Sequence, residues 1–248
     1  MIIIKSAEEI ELMRQAAVPT KEMLNNLADI IKPGMSTKDI DDYVEEYILK
    51  AGMKPAFKGY SGYPACACVS LNEEVVHGIP SKKRILMEGD IVSVDLGTIY
   101  KGFYSDAART YPVGKVSEKH AQLIKAAEDG FNAGLFFARK GNRLGDISHA
   151  IQEEVESQGF SVIRDYVGHG VGREMHEDPM VPNYGKAGHG VQLVPGMVIA
   201  VEPMIATGDY AVRVLPDGWT AVTKDGGYAA HYENTIVITD GDPILLTK

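Results

Sequence analysis

Asp95 closes the apolar run Ile91-Val-Ser-Val-Asp95, and Asp106 lies on the stretch that returns after Tyr100-Lys101-Gly102. The two-residue period of a strand puts Ile91, Ser93 and Asp95 on one face and Val92, Val94 and Leu96 on the other. A hairpin turning about Tyr100 and Lys101 pairs residues whose numbers sum to about 201, which sets Asp95 opposite Asp106. Facing carboxylates repel unless a cation or a shared proton lies between them. If either Asp points to solvent, the pair carries no chemistry.

Three further residues have the same character. His169 stands between glycines in Gly168-His-Gly-Val-Gly172, a tight backbone around an imidazole that lacks the spacing of a dinucleotide fingerprint. Glu202 ends the apolar run Val198-Ile-Ala-Val201, where a carboxylate is costly unless paired or ligated. Glu233 precedes the apolar stretch Thr235 to Ile238; alone it reads equally well as a solvated strand-end acid. Together Asp95, Asp106, His169, Glu202 and Glu233 make an oxygen-rich donor set suited to two divalent ions such as Co, Mn, Fe(II) or Zn. Four carboxylates balance two dications, and such a pair of ions activates a water for hydrolysis.

The elements that must position these residues read as helices and short strands. Ser6-Ala-Glu-Glu9 is a capping box, followed by Ile10, Met13 and Ala17 at helical spacing, with Pro19 expected to kink or interrupt the helix before Ile31. Ser36 caps a second helix ending at Gly52, and two more helices span roughly 117–139 and 145–158. Strands are expected over Ile91 to Gly97 and Phe103 to Thr110. Gly34, Asp39, Ile40 and Gly52 recur 107 residues later as Gly141, Asp146, Ile147 and Gly159, and the same offset carries Gly89 to Gly196 and Asp95 to Glu202. One register for all of these predicts two related halves, hence an α+β fold with a pseudo-twofold axis across which Asp95 and Glu202 face each other.

Bulk composition narrows the function classes. The chain has 248 residues, enough for a sizeable core, and no linker or low-complexity segment divides it, so residues 1–248 read as a single domain. A net charge of −9 offers no basic footprint for nucleic acid. Cys66 and Cys68 are the only cysteines, too close for a structural disulfide, which points to reduced thiols. Neither a signal peptide nor a run of 18 apolar residues is visible, so a cytoplasmic protein without membrane association is expected. No GxSxG elbow occurs and neither cysteine has a recognisable histidine partner, which disfavours a serine or cysteine hydrolase.

His77-Gly78, Asp95-Leu-Gly97, Asp106, Gly168-His-Gly170, His176-Glu-Asp-Pro179, Glu202-Pro203 and the Glu233 strand together resemble the bacterial-type, type I methionine aminopeptidases, in order and over essentially the whole chain. The resemblance implies a pita-bread fold, an antiparallel sheet covered by helices. It implies that Asp95, Asp106, His169, Glu202 and Glu233 bind two metal ions, with Asp106 and Glu233 bridging, and that a water between the ions attacks the peptide. Glu202 would also carry the proton toward the leaving amine, His176 would steady the oxyanion, and His77 would contact the peptide beyond the scissile bond. Tyr60, Tyr63, Cys68 and Trp219 match the family's methionine pocket, although aromatic and free cysteine side chains are also ordinary core residues.

The implied reaction is removal of N-terminal methionine, preferring a small second residue, from nascent polypeptides and peptides, by a monomer whose docking on ribosomes is left open. Phe57 stands where the family often has a smaller residue, and Met175 where Phe is common; His231 and Asn234, flanking Glu233, also depart from the family's usual types. His120, His149 and His189 belong to no motif and read as solvated. Proline-specific relatives of the fold normally carry a large N-terminal domain for which this chain has no room. Type II enzymes carry an insertion that the short span from Glu202 to Glu233 excludes. A non-catalytic binding module would have lost ligands, and here every ligand position is filled.

Overall fold

A computed structural model describes all 248 residues. Helix α1 (Ala7–Ile30) begins at the predicted capping box: the Ser6 hydroxyl accepts from the Glu9 N–H while the Glu9 carboxylate accepts from the Ser6 N–H. Helix α2 (Thr37–Lys50) repeats the device with Ser36 and Asp39. Helices α3 (Glu118–Phe137) and α4 (Leu144–Ser157) follow, and every strand pairing in the molecule is antiparallel. No helix is long and apolar enough to cross a membrane.

The 107-residue repeat is a repeat of structure. Isolated bridges join Ser36 to Ile85 and, at the same offset, Arg143 to Gln192. The Gly34 N–H donates to the Leu86 carbonyl at 2.8 Å, and the Gly141 N–H to the Leu193 carbonyl at 3.1 Å. Asp146 receives the Arg143 N–H as Asp39 receives that of Ser36. Each half therefore ties a glycine turn and a capped helix to the segment leading into its central strand. Each also has its own core: α2 over Val69, Val92 and Val94 in the first half, and α3 with α4 over Ile199, Val201 and Ile236 in the second. Met13 and Ala17 of α1 reach across to pack on Val198, Ala200 and Val237.

Two expectations are corrected. The hairpin strands run Ile91–Tyr100 and Phe103–Pro112, longer than expected, and its turn is the two-residue pair Lys101-Gly102, both at positive φ (48° and 81°). That turn chemistry closes the ladder at Tyr100↔Phe103. Asp95 therefore pairs with Ala108 and Asp106 with Gly97, so the two acids are diagonal neighbours on one face and not direct partners. The second correction concerns Pro19, which sits inside an uninterrupted α1. Proline withholds one N–H and crowds the preceding turn, and the hairpin supplies polar partners there. Thr98 Oγ1 donates to the Ala16 carbonyl at 2.6 Å, and Ser105 Oγ approaches that carbonyl at 3.3 Å and Thr20 Oγ1 at 2.7 Å.

This buried hydroxyl cluster joins helix to hairpin, so Thr98→Val should leave the shape intact and lower unfolding free energy by about 1–3 kcal/mol. Denaturant melts of the two proteins measure it; unchanged stability would remove the role assigned to Thr98.

Candidate metal centre

The hairpin supplies Asp95 and Asp106, the strand Gly168–Gly170 supplies His169, and Glu202 and Glu233 sit where the strand Val198–Val201 ends and the strand Asn234–Val237 begins. All five line a single cavity of about 220 Å³. The halves are stitched at this point through backbone. Glu233 N–H donates to the Ala108 carbonyl at 2.9 Å, and Thr235 Oγ1 donates to the Asp106 carbonyl at 2.8 Å. Arg109, packed over the Tyr232 ring, donates to the Glu233 carbonyl at 2.5 Å and to Asn234 Oδ1 at 2.7 Å. Asn234 thus acquires a structural explanation: its amide oxygen accepts from Arg109 and from Thr247 Oγ1.

Asp106, His169, Glu202 and Glu233 are buried and Asp95 is half-buried. Asp95 Oδ1, Asp106 Oδ1 and Glu233 Oε1 are closed off from solvent with no hydrogen-bond partner. Burial raises the pKa of all four carboxyls, well above the ordinary value for Asp106, Glu202 and Glu233. His169 Nδ1 lies 2.9 Å from the Gly170 carbonyl, to which its N–H donates; burial lowers the ring's pKa to about 3. The neutral ring then turns the Nε2 lone pair toward Asp106 Oδ2 at 3.6 Å and Glu202 Oε1 at 3.4 Å. A lone pair facing carboxylate oxygens is repulsive unless a cation lies among them. Orphaned buried oxygens, raised carboxyl pKa values and this ring orientation all fit divalent ions bound between the side chains.

His77 and His176 border the same cavity. His77 adopts a left-handed φ of 61°, with its ring edge-on to Tyr166 and Trp219 at centroid distances of 5.4 and 6.3 Å. Its neighbour Gly78 is required by close approach, because a Cβ there would lie 2.4 Å from the Val69 carbonyl oxygen. His176 is at the exposed rim, its ring 4.2 Å from that of His169 and its Nδ1 2.8 Å from Tyr60 Oη. Tyr63, Cys68, Phe57 and Met175 are buried in one apolar cluster against which Tyr60 and Trp219 pack. Tyr63 Oη donates toward the Gly78 carbonyl at 2.9 Å, and the Trp219 ring meets Tyr63 edge-on at 5.1 Å. Cys68 is the strand partner of Asp95, so the apolar wall abuts the acids directly.

One residue at the site was not foreseen. His231, fully buried, directs Nε2 at Glu202 Oε2 (3.4 Å) and Glu233 Oε2 (3.8 Å). It ends the strand Ala229–His231 while Glu233 precedes the strand Asn234–Val237 of another sheet, so no strand period in the sequence ties the two together. His120 also differs from the solvated reading: it is half-buried and stacks on Tyr228 with centroids 4.0 Å apart, and His149 is half-buried, while His189 is exposed.

Comparison with known proteins agrees with this geometry. Residues 11–240 match the model of "Metallopeptidase family M24". The chain is 56% identical over its whole length to 99% of a methionine aminopeptidase of Clostridium acetobutylicum, and 48% identical, covering all of both chains, to methionine aminopeptidase 1 of Bacillus subtilis. The crystal structure of methionine aminopeptidase from Thermotoga maritima superposes with a TM-score of 0.98 at 52% identity, each chain covered completely. Prolidase from Pyrococcus furiosus shares the pita-bread fold more distantly, with a TM-score of 0.79 at 26% identity over 99% of this chain and 65% of that one. On whole-length identity, fold and a buried cluster of carboxylates and imidazole alike, the chain belongs to metallopeptidase family M24, among its methionine aminopeptidases.

Proposed function

We propose that this chain, as a single catalytic domain over residues 1–248, removes the N-terminal methionine from nascent polypeptides and peptides, preferring a small second residue. The observation that carries the proposal is the juxtaposition of partnerless buried carboxylate oxygens with an apolar pocket in one small cavity. The cavity measures about 220 Å³ and is lined by both sets of residues.

Asp95, Asp106, His169, Glu202 and Glu233 would hold the two divalent ions. Two bound divalent ions supply Lewis acidity and make a water nucleophilic at neutral pH. The donors accept Co, Mn, Fe(II) or Zn, and supply in the cell selects among them. Glu202 takes the proton from the attacking water and passes it to the leaving amine. His176, held at Nδ1 by Tyr60, is free to donate from Nε2 to the oxyanion of the tetrahedral intermediate. His77 contacts the peptide just past the scissile bond. Tyr60, Tyr63, Cys68 and Trp219, narrowed by Phe57 and shaped by Met175, receive the methionine side chain; a flexible thioether packs well against such aromatic edges. Free chain ends emerging during synthesis are the substrates, and a monomer in the cytoplasm suits that task. Ribosome docking is not required by this reading.

The first experiment strips the protein with chelator, restores each metal, and follows methionine release from Met-Ala-Ser beside Pro-led and Leu-led peptides. Metal-dependent release confined to the Met peptide is expected; metal binding without cleavage would favour a binding module, and cleavage of the Pro peptide a proline-specific enzyme. His176→Ala should lower kcat about 10²–10³-fold with metal content unchanged, the cost of losing one preorganised donor. Full activity in that variant would remove the oxyanion role.

Stability should also depend on pH in a defined direction. Each raised carboxyl pKa contributes stability below its ordinary value of 3.8 or 4.5 that is lost as pH climbs through the higher folded value. The imidazoles of His77, His169 and His231, lowered by burial from 6.5 to about 4, 3 and 4, act oppositely: their contributions are complete above 6.5 and lost on acidification. Above pH 6.5, among these groups only the carboxyls still change, so the Tm of stripped protein falls toward about pH 8. Restored ions should abolish that fall. A flat profile for stripped protein would contradict the burial of uncompensated acids.

A further inference from the structure

His231 lies outside the five-residue donor set, yet its ring is buried against that set. Nε2 stands 3.4 Å from Glu202 Oε2 and 3.8 Å from Glu233 Oε2, and forms no hydrogen bond. Such separations are long for N–H···O contacts. They suit donors of one ion, which at metal–ligand lengths of roughly 2.1 Å in a tetrahedral shell lie about 3.4 Å apart. His169 shows the same relation to its carboxylates, at 3.6 and 3.4 Å. Glu202 consequently turns one oxygen to each ring, Oε1 to His169 and Oε2 to His231. Glu233 belongs to both compact groups, Asp106–His169–Glu233 and Glu202–His231–Glu233.

The main chain of His231 is fixed independently of the acids. Its N–H donates to Thr110 Oγ1 at 2.8 Å, and that hydroxyl donates back to the His231 carbonyl at 2.9 Å. Met204 pairs with it on the neighbouring strand. Backbone held on both sides aims the ring before any ion arrives, which is the preorganisation a ligand needs.

We propose that His231 Nε2 is an additional metal ligand, so that the centre has two imidazoles, one toward each end of the Glu202 carboxylate. The proposal rests on the dinuclear reading above and deepens it. A neutral imidazole adds a donor without adding charge, and nitrogen ligation favours Fe(II), Co or Zn over Mn relative to an all-oxygen shell. His231 thereby biases which ion the centre retains.

The test uses full-length protein loaded with two equivalents of Co(II), its ion content measured, and proton NMR of the exchangeable imidazole N–H signals shifted by the paramagnetic ions. Two such signals are expected in the wild type and one in His231→Gln, where glutamine keeps similar bulk and the Thr110 backbone contacts. The variant should also bind Co(II) at least tenfold more weakly, on the scale of about 10–100-fold seen when shells around a metal are altered, with a smaller preference for Co(II) over Mn(II) in competition. Two bound ions with a single wild-type signal would overturn the assignment of His231 and leave the proposed function standing. Failure of the wild type to bind ions would overturn both. The wild-type count decides even if the variant does not fold.

Discussion

Carboxylates buried within reach of one another, with no protein cation among them, are the constraint to which the rest of this structure answers. Taking an ion out of water costs several kcal/mol even after relaxation, and three of these acids are buried outright. The chain anchors them through their main chains. The Asp106 carbonyl is taken by Thr235, the Glu202 carbonyl by Asn183 Nδ2 at 2.9 Å, and the Glu233 carbonyl by Arg109. Side-chain oxygens remain without protein partners. Acids used structurally elsewhere behave oppositely: Glu9, Asp39 and Asp146 spend their carboxylates on helix-start N–H groups. Backbone held and side chain withheld sets these four acids apart from the capping carboxylates.

Duplication explains how one chain reaches this convergence. Each half delivers an acid six residues after a glycine in left-handed conformation, Gly89 before Asp95 and Gly196 before Glu202, with φ of 94° and 86°. The framework is shared and the ligand is not. The first half ends in a long regular hairpin that presents two short carboxylates rigidly from one face. The second half uses short strands and presents longer Glu side chains together with imidazoles. Reach from one side and rigidity from the other let acids on separate sheets meet in one cavity, while α1 locks the halves by packing on both.

The parts legible in the sequence were those with local signatures. Capping boxes at Ser6 and Ser36 announce themselves by spacing, and the 107-residue register is carried by turn glycines and capping acids. The proposed ligands were visible because a carboxylate at the end of an apolar strand has few innocent explanations. Register was harder: moving the turn by one position changes every cross-strand pair, and only the positive φ at Lys101 and Gly102 decides it. Pro19 misled because the hydroxyls serving its turn come from residues about 80 positions away, Thr98 and Ser105. His231 stands out in the sequence only as an unusual residue type beside Glu233, with no role attached. Its significance lies in Glu202, which is distant in sequence, and a lone histidine beside a strand reads more readily as core.

The joining of acid cluster and apolar wall also limits what the cavity can select. Cys68 sits directly across the ladder from Asp95, so a side chain filling the pocket places its own backbone nitrogen and carbonyl beside the acids. Tyr63, Trp219 and His77 form the aromatic side of that space, their rings edge-on at centroid distances of 5.1 and 6.3 Å. Discrimination among apolar side chains is a weaker matter, because a methylene more or less in such a pocket changes binding by only about 1–3 kcal/mol. Phe57 and Met175 are buried beside the aromatic edges and bound the same space. Selectivity in the proposed reaction therefore comes from steric exclusion by packed, buried walls, and those walls stay in place because they are continuous with the sheet that carries the acids.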